Sequence, residues 1–417
     1  MTFSFRWHLL LLLRQAGVRA MKIVVAPSGY KECLDADLVA TAIANGVRRA
    51  CPDARITELP LVDGGEGTAL ALGRLTQGEA RKLTVTGPVG EPVEAHFVLL
   101  GGRNPPVAAI DLASAAGLKL VPRDRRDPGA TTSRGVGELI AAAIDAGARH
   151  VVLGCGDSGV NDGGAGLVQA LGVRLLGPDG RDVPVGGAGL AELERIDLSG
   201  LDPRVRETRI EVACNLKNIL CGENGVARIF GPQKGATPEE VEALAAALER
   251  FAAVVQRDLG LDVRTMPGGG ASGGVGAGVH ALLGAELCSR FDVLLPFFGL
   301  DEALQGAELV LTAEGGIDFK SARGKIPSEV GSRASALGIP VIALAGTIGE
   351  RAEIVHDHGV HAYFSTTIAP ETLEEAIEHA EAEVAITAEN VMRTFLLGFH
   401  AAMRRIAGTG TSLKIGV

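Results

Sequence analysis

Lys22-Ile23-Val24-Val25-Ala26-Pro27-Ser28-Gly29-Tyr30-Lys31 decides how the rest of the chain is read. An unbroken apolar run over 23–26 predicts a strand buried on both faces. A glycine loop follows it. Leu34, Leu38, Ile43 and Val47 then predict one apolar face of a helix over about residues 34–50, and 56–61 predicts a second strand. Strand, helix and strand over 22–62 make a parallel unit, but two strands cannot close a core. Further apolar runs at 107–112, 151–155, 210–214, 309–313, 341–345 and 362–365 supply more strands. Helical periods lie between many of them. They include 373–391 and Pro238–Leu259, the latter with Thr237 as N-cap and Pro238 in the first turn. The alternation predicts an α/β fold of parallel sheets covered by helices on both faces.

A chain of 417 residues has a prior of two or three domains. With the first unit unable to close by itself, the economical division is discontinuous. Residues 21–75 plus 289–417 form one α/β domain, and 76–288 form a second, inserted one. Residues 1–20 are set aside as an N-terminal extension. They read as a poor signal peptide or as sequence upstream of a functional start at Met21. Leaving out Arg6, Arg14 and Arg19 takes the net charge from −10 to −13. That balance argues against a duplex-binding surface, which neutralises phosphates with a basic face. The apolar run 9–13 is too short to span a bilayer, and no other segment reaches the required length, so no membrane span is expected. The 57 glycines are about twice the usual share but have no three-residue period, which excludes collagen. The six cysteines form no CxxC pair, so neither a zinc site nor a disulfide scaffold is expected. Reduced thiols in the cytoplasm are the simpler reading.

Ligands of α/β sheets bind at strand ends, and the strands here end in loops that pair glycines with acids or lysines. Lys31 follows the first strand. Asp63 and Glu66 lie in 63–67, Asp157 and Asp162 in 154–164, and Glu314 and Asp318 in 312–318, with Lys325 just beyond. Glycines let backbone amides approach an anion. Carboxylates hold Mg²⁺ beside phosphates, and lysine is a compact charge for a phosphate. These are the parts that phosphoryl transfer needs. The structural alternative is a helix cap for Asp63, Glu66 and Asp162 and a solvated loop for Lys31. The run 267–278 enters a helix and is a candidate phosphate site. It has no convincing strand before it and no ribose-binding acid after it, which weighs against dinucleotide binding. Lys234 stands in 231–237, where a turn with a helix cap explains most of the pattern. Ser158 has no GxSxG setting, the Walker A loop is absent, and His356, His358 and His361 read as a solvated loop.

Taken in order, these loops resemble the bacterial glycerate kinases that are unrelated to hexokinases and protein kinases. The resemblance rests on APSGYKECL at 26–34, DGGEGT at 63–68, GDSGVNDGGAG at 156–166, FGPQKGATP at 230–238, GGGASGGVGAG at 268–278, AEGGID at 313–318 with Gly324-Lys325, and ALAG at 343–346. It covers about residues 21–390. The resemblance implies a flavodoxin-like domain built from both chain ends, an inserted α/β domain, and an active site in the cleft between them. It implies transfer of the γ-phosphoryl group of ATP to D-glycerate with Mg²⁺, most often giving 2-phosphoglycerate. The catalytic candidates are then Asp162, Asp63, Lys31 and Glu66. Lys325, Asp318, Glu314, Ser158, Asn161, Lys234, Gly269, Gly270, Gly273 and Gly274 are candidates for binding substrate or phosphate. Asp63 and Glu314 are the Mg²⁺ candidates. The expected partners are D-glycerate and ATP, with no nucleic acid and no membrane, and with room for a homo-oligomer.

The chain departs from the family pattern at several of these places. Ser28 stands for an Asp, Gly316 for an Arg, Ala313 and Asp157 for glycines, and Asn215 and Lys217 for acids. Lys320 and Arg323 are the candidates to replace the lost guanidinium, although a lysine does not reproduce bidentate carboxylate binding. The departures leave two alternatives open: a kinase for a related small hydroxy acid, and a non-catalytic homologue that binds one. A dinucleotide-dependent oxidoreductase is the reading from another class, and it lacks its strand–GxGxxG–helix unit.

Overall fold

The computed structural model describes residues 20–30, 33–319, 321 and 324–408. The extension expected over 1–20 lies outside the described residues except for Ala20. β1 (Lys22–Val25) and β2 (Arg55–Glu58) come first. β3 (Glu79–Thr86), β4 (Pro92–Leu99), β5 (Val107–Asp111), β6 (His150–Gly154), β7 (Arg174–Leu176), β8 (Arg195–Asp197), β9 (Arg209–Cys214) and β10 (Glu286–Ser289) follow. β11 (Leu309–Ile317), β12 (Val341–Ile348) and β13 (Ala362–Ser365) end the series. Every apolar run read as a strand is one. The strands not foreseen, β3, β4, β7, β8 and β10, are short or carry polar residues on an exposed face, so they lack that signal.

The chain divides into two compact units, one made of the chain up to Leu61 with the chain from Gly299 on, the other running from Val62 to Phe298. The expected boundaries at 75/76 and 288/289 are therefore displaced. Helix Thr68–Thr76 packs on β4 and β5, and helix Arg290–Phe298 packs on β9, so both belong to the inserted unit.

The first unit holds a five-stranded sheet in the order β2-β1-β11-β12-β13, parallel throughout. In the unit's own chain order this is 2-1-3-4-5, the flavodoxin order, whose switch point lies between β1 and β11. Its core is built from Ile23, Val25, Val39, Ile43, Val47, Leu309, Leu311, Leu344 and Val384. Helix Ala36–Ala50 buries Val39, Ile43 and Val47, whereas Leu38 is 45 % exposed, so the expected apolar stripe is rotated by one residue there. Helix Leu373–Gly408 packs against it and runs past the predicted end at 391. The two helices meet at Gly46, where a Cβ would drive into the Ala385 carbonyl oxygen. Alanine normally improves a helix by about 1 kcal/mol over glycine. Gly46→Ala should reverse that sign and cost about 1–3 kcal/mol through overpacking, read by urea unfolding.

The inserted unit has a six-stranded sheet, β10-β9-β6-β5-β4-β3. Its pairs are parallel from β10 to β5 and antiparallel from β5 to β3. Phe97, Ile110, Leu139, Ile140, Leu153, Leu167, Leu248 and Phe251 are among its core residues. Helix Pro238–Leu259 starts as predicted. The Thr237 hydroxyl accepts from Glu240 N, Glu240 accepts from Thr237 N, and Pro238 follows the cap. Among the described residues no helix is long and apolar enough to cross a membrane.

Candidate active site

At the switch point of the first unit, β1 runs into Ser28 and β11 carries Glu314. The Ser28 hydroxyl lies 3.0 Å from both Glu314 Oε2 and the Ala313 carbonyl oxygen, with its one proton to donate between them. Lys325 precedes helix Ile326–Ala336. Its Nζ donates to the Gly316 carbonyl at 3.0 Å and lies 3.7 Å from Glu314 Oε1. Glu314 is thus held between a hydroxyl and an ammonium. An acid at position 28 would set two carboxylates against each other, and Ser28 supplies a donor instead. Asp318 follows β11, and its backbone N–H donates to the Ser321 hydroxyl. The fold therefore gathers Glu314, Lys325 and Asp318 at one end of one strand. Lys31, Lys320 and Arg323 lie outside the described residues.

In the inserted unit, loop 63–68 leads into helix Thr68–Thr76. Asp63 Oδ1 accepts from Gly65 N at 3.3 Å, and Arg290 Nη1 donates to Asp63 Oδ2 at 3.2 Å and to its carbonyl at 3.1 Å. The Glu66 side chain is 54 % exposed and pairs with Lys119 at 2.7 Å. Asp157, in the left-handed region at φ 52°, accepts from Glu66 N at 3.2 Å. A further acid, Asp111 at the end of β5, accepts from Ala69 N at 2.7 Å and Gly67 N at 2.9 Å. Burial pushes Asp111 up to about 7, against the lowering by those two amides, and the nearby charges of Glu66 and Asp157 add to the rise. The reading of the sequence missed Asp111. Its one signal was an acid closing an apolar strand, Val107-Ala108-Ala109-Ile110-Asp111.

Two expected site residues are inside the protein. Asp162 is 0 % exposed. Its Oδ2 accepts from Ser133 N, the Ser133 hydroxyl and Gly166 N, and its Oδ1 from Gly164 N. It ties together the starts of helices Arg134–Asp145 and Ala165–Ala170 and is not presented as a base. Lys234 is 3 % exposed. Its Nζ donates to Ser158 Oγ at 3.1 Å and the Val160 carbonyl at 2.5 Å. Burial pulls it down to about 8, opposed by the charge of Asp162. Lys234 therefore organises the loop instead of reaching out to a ligand. Ser158 is half-buried under it. Asn161 is fully buried, and its side-chain amide has no hydrogen-bond partner among the described residues.

The glycine run also differs from an open cradle. Residues 268–279 are all buried. Gly269 N donates to the Met266 carbonyl and Gly270 N to the Asn218 carbonyl. Ser272, Gly273 and Gly274 form a left-handed turn before the regular part of helix Ala271–Leu283. A Cβ on Gly273 would drive into the Val160 carbonyl oxygen, so this glycine serves backbone-to-backbone packing on the Asp162 loop. Gly269, Gly270, Gly273 and Gly274 thus stand in a buried run, with the Gly269 and Gly270 amides already bonded to backbone carbonyls.

A family model described as the glycerate kinase family matches residues 23–396. Glycerate 2-kinase of Escherichia coli (strain K12) is 44 % identical over 382 residues, 92 % of this chain and 100 % of that protein. Glycerate kinase of Bacillus subtilis (strain 168) is 43 % identical over 378 residues, 90 % of this chain and 98 % of that protein. A crystal structure assigned as glycerate kinase 2 of Salmonella typhimurium LT2 is 46 % identical with a TM-score of 0.77, covering 91 % of this chain and 100 % of that one. The chain therefore belongs to the glycerate kinase family and is an enzyme of the phosphotransferase class.

Proposed function

We propose that this enzyme transfers the γ-phosphoryl group of ATP to D-glycerate, with 2-phosphoglycerate as the preferred product. The observation that carries the reading is the 44 % identity to a protein named glycerate 2-kinase over 92 % of the chain. The loop chemistry supports it. The substrate hydroxyl oxygen bonds to the γ-phosphorus while the bond to the β,γ-bridging oxygen breaks, and ADP leaves with that electron pair. The hydroxyl proton passes to a carboxylate. Asp63, oriented by Arg290 and Gly65 N, is the assigned base, with Glu66 beside it in the same loop. Lys325 supplies positive charge for phosphate or for the substrate carboxylate, a role shared with Lys31. Asp162, named first among the catalytic candidates, passes to a positioning role because it is buried and fully engaged.

Mg²⁺ takes one or two protein carboxylates beside phosphate oxygens. Glu314 fits that donor set, because a carboxylate offers about four lone-pair sites, while Ser28 stands on one oxygen and Lys325 lies 3.7 Å from the other. Asp63 fits less well, since a guanidinium already stands on its Oδ2. The metal would offset charge on the phosphate oxygens. The six cysteines, all unpaired, accord with a cytoplasmic location.

The test is ADP release by the full chain with ATP, Mg²⁺ and D-glycerate, run beside L-glycerate, glycolate and tartronate. Phosphorus NMR of the product separates the 2- from the 3-phosphate. Turnover with D-glycerate that EDTA abolishes is expected. Turnover on another acid alone would move the substrate and implicate Ser28, Asn215 and Gly316. Folded protein silent on every acid would overturn the reading.

A further inference from the structure

We propose that Asp111 is the positioning residue of loop 63–68, its buried carboxylate holding the loop so that Asp63 and Glu66 stand where the reaction needs them. The inference rests on the assignment of those two acids to the active site. The first N–H groups of any helix lack partners within the helix. Helix Thr68–Thr76 begins at Gly67, which has no side chain to cap it. The acceptor comes from β5 instead: Asp111 takes Gly67 N and Ala69 N, one on each oxygen. The neighbouring amides are taken in the same way, Gly65 N by Asp63 and Glu66 N by Asp157. Amides that could have cradled a phosphate are thus filled by the chain's own carboxylates. What the loop presents is acid, not an anion site. Of these three acceptors only Asp111 is buried, at 1 % exposure, and it is anchored on a central strand.

The ionised form holds both amides best, because a protonated carboxyl turns one oxygen into a donor and leaves it a weaker acceptor. The charged groups around Asp111 are Glu66 and Asp157, which oppose ionisation, and His96 on β4, whose Nε2 lies 3.9 Å from Oδ2. Burial and then Lys82 lower His96, against a smaller rise from Glu94. Lys119 pairs with Glu66 at 2.7 Å. With Asp111 pushed up to about 7, the loop is expected to tighten as pH rises through that value.

The test is Asp111→Asn in the full chain, which keeps the shape but sets an NH₂ against one of the two amides. Amide hydrogen exchange should quicken at least about tenfold in peptides covering 64–72 and stay unchanged in those of helix Pro238–Leu259. The variant's kcat should fall at least about tenfold, with KM for ATP within about twofold. Wild-type kcat should rise with pH through about 7, and the variant should lack that limb. Unchanged kcat in the folded variant, or exchange that quickens equally everywhere, overturns the proposal. If the variant does not fold, wild type decides alone: protection of 64–72, corrected for intrinsic exchange, must rise through about pH 7. A wild type inactive on every acid would refute the kinase reading, while the exchange result would still judge the clasp.

Discussion

Asp162→Ala is expected to lower the unfolding free energy by about 4 kcal/mol and to reduce turnover at least about 100-fold. The physical ground is the number of donors on one buried carboxylate. Ser133 N, the Ser133 hydroxyl, Gly164 N and Gly166 N all converge on it, and the Ser133 hydroxyl in turn accepts from Leu167 N at 3.0 Å. Each buried donor left without an acceptor costs about 1–3 kcal/mol, partly recovered by relaxation. Two helix starts also lose their anion, which is favourable at a helix N-terminus. The loop that carries Asp157 and Ser158 would shift with them, and a displacement of about 1 Å is enough for the loss of rate. Urea unfolding and ADP release on the same preparation check both effects. A carboxylate acting on the substrate would behave differently, losing turnover with stability intact, and that result would restore Asp162 to the catalytic set.

Lys234→Met should remove a pH dependence that the wild type possesses. The free amine titrates at 10.5 and the buried one at about 8. Between those values the unfolded chain binds more protons than the folded one, so wild-type stability rises with pH from about 8 to 10.5. Below about 8 the ammonium is charged in both states, and the full penalty of burying it is present. The gap corresponds to about 3 kcal/mol. Unfolding measured at pH 8 and at pH 10.5 should therefore show wild type gaining on the variant by about that amount. A constant difference across the interval would refute the buried titration. Turnover should fall about 10–100-fold, because Ser158 and the Val160 carbonyl lose the ammonium that holds them. Asp162 and Lys234 also interact, since the Asp162 charge raises the lysine. The double substitution should destabilise by less than the sum of the single ones.

Much of the fold was legible because a strand buried on both faces must be apolar throughout. The runs at 23–26, 309–313 and 341–345 declare the parallel sheet of the first unit in that way, and Thr237-Pro238 declares a helix start by local hydrogen bonding. Strands with one polar face, such as β3 and β4, carry no such run and stayed hidden. The domain boundaries shifted for a related reason. Thr68–Thr76 and Arg290–Phe298 follow their neighbours smoothly in sequence, and only their packing on β5 and β9 assigns them to the inserted unit.

For the site, glycine-flanked acids and lysines at strand ends pointed by themselves to anion and carboxylate chemistry, against the alternative of helix caps and solvated loops. That follows from the residue types alone, since each brings its charge and its donors wherever it is placed. Which acid faces solvent was decided only by the tertiary structure. Asp63, Glu66 and Asp162 look alike in their motifs, yet Asp162 meets Ser133 from a distant loop and is sealed by four donors, while Glu66 remains outside. Asp111 looks like the polar end of a strand until the amides of Gly67 and Ala69 arrive on it. A buried carboxylate is defined by the donors that come to it from elsewhere in the chain, and those are fixed by packing rather than by its neighbours in sequence.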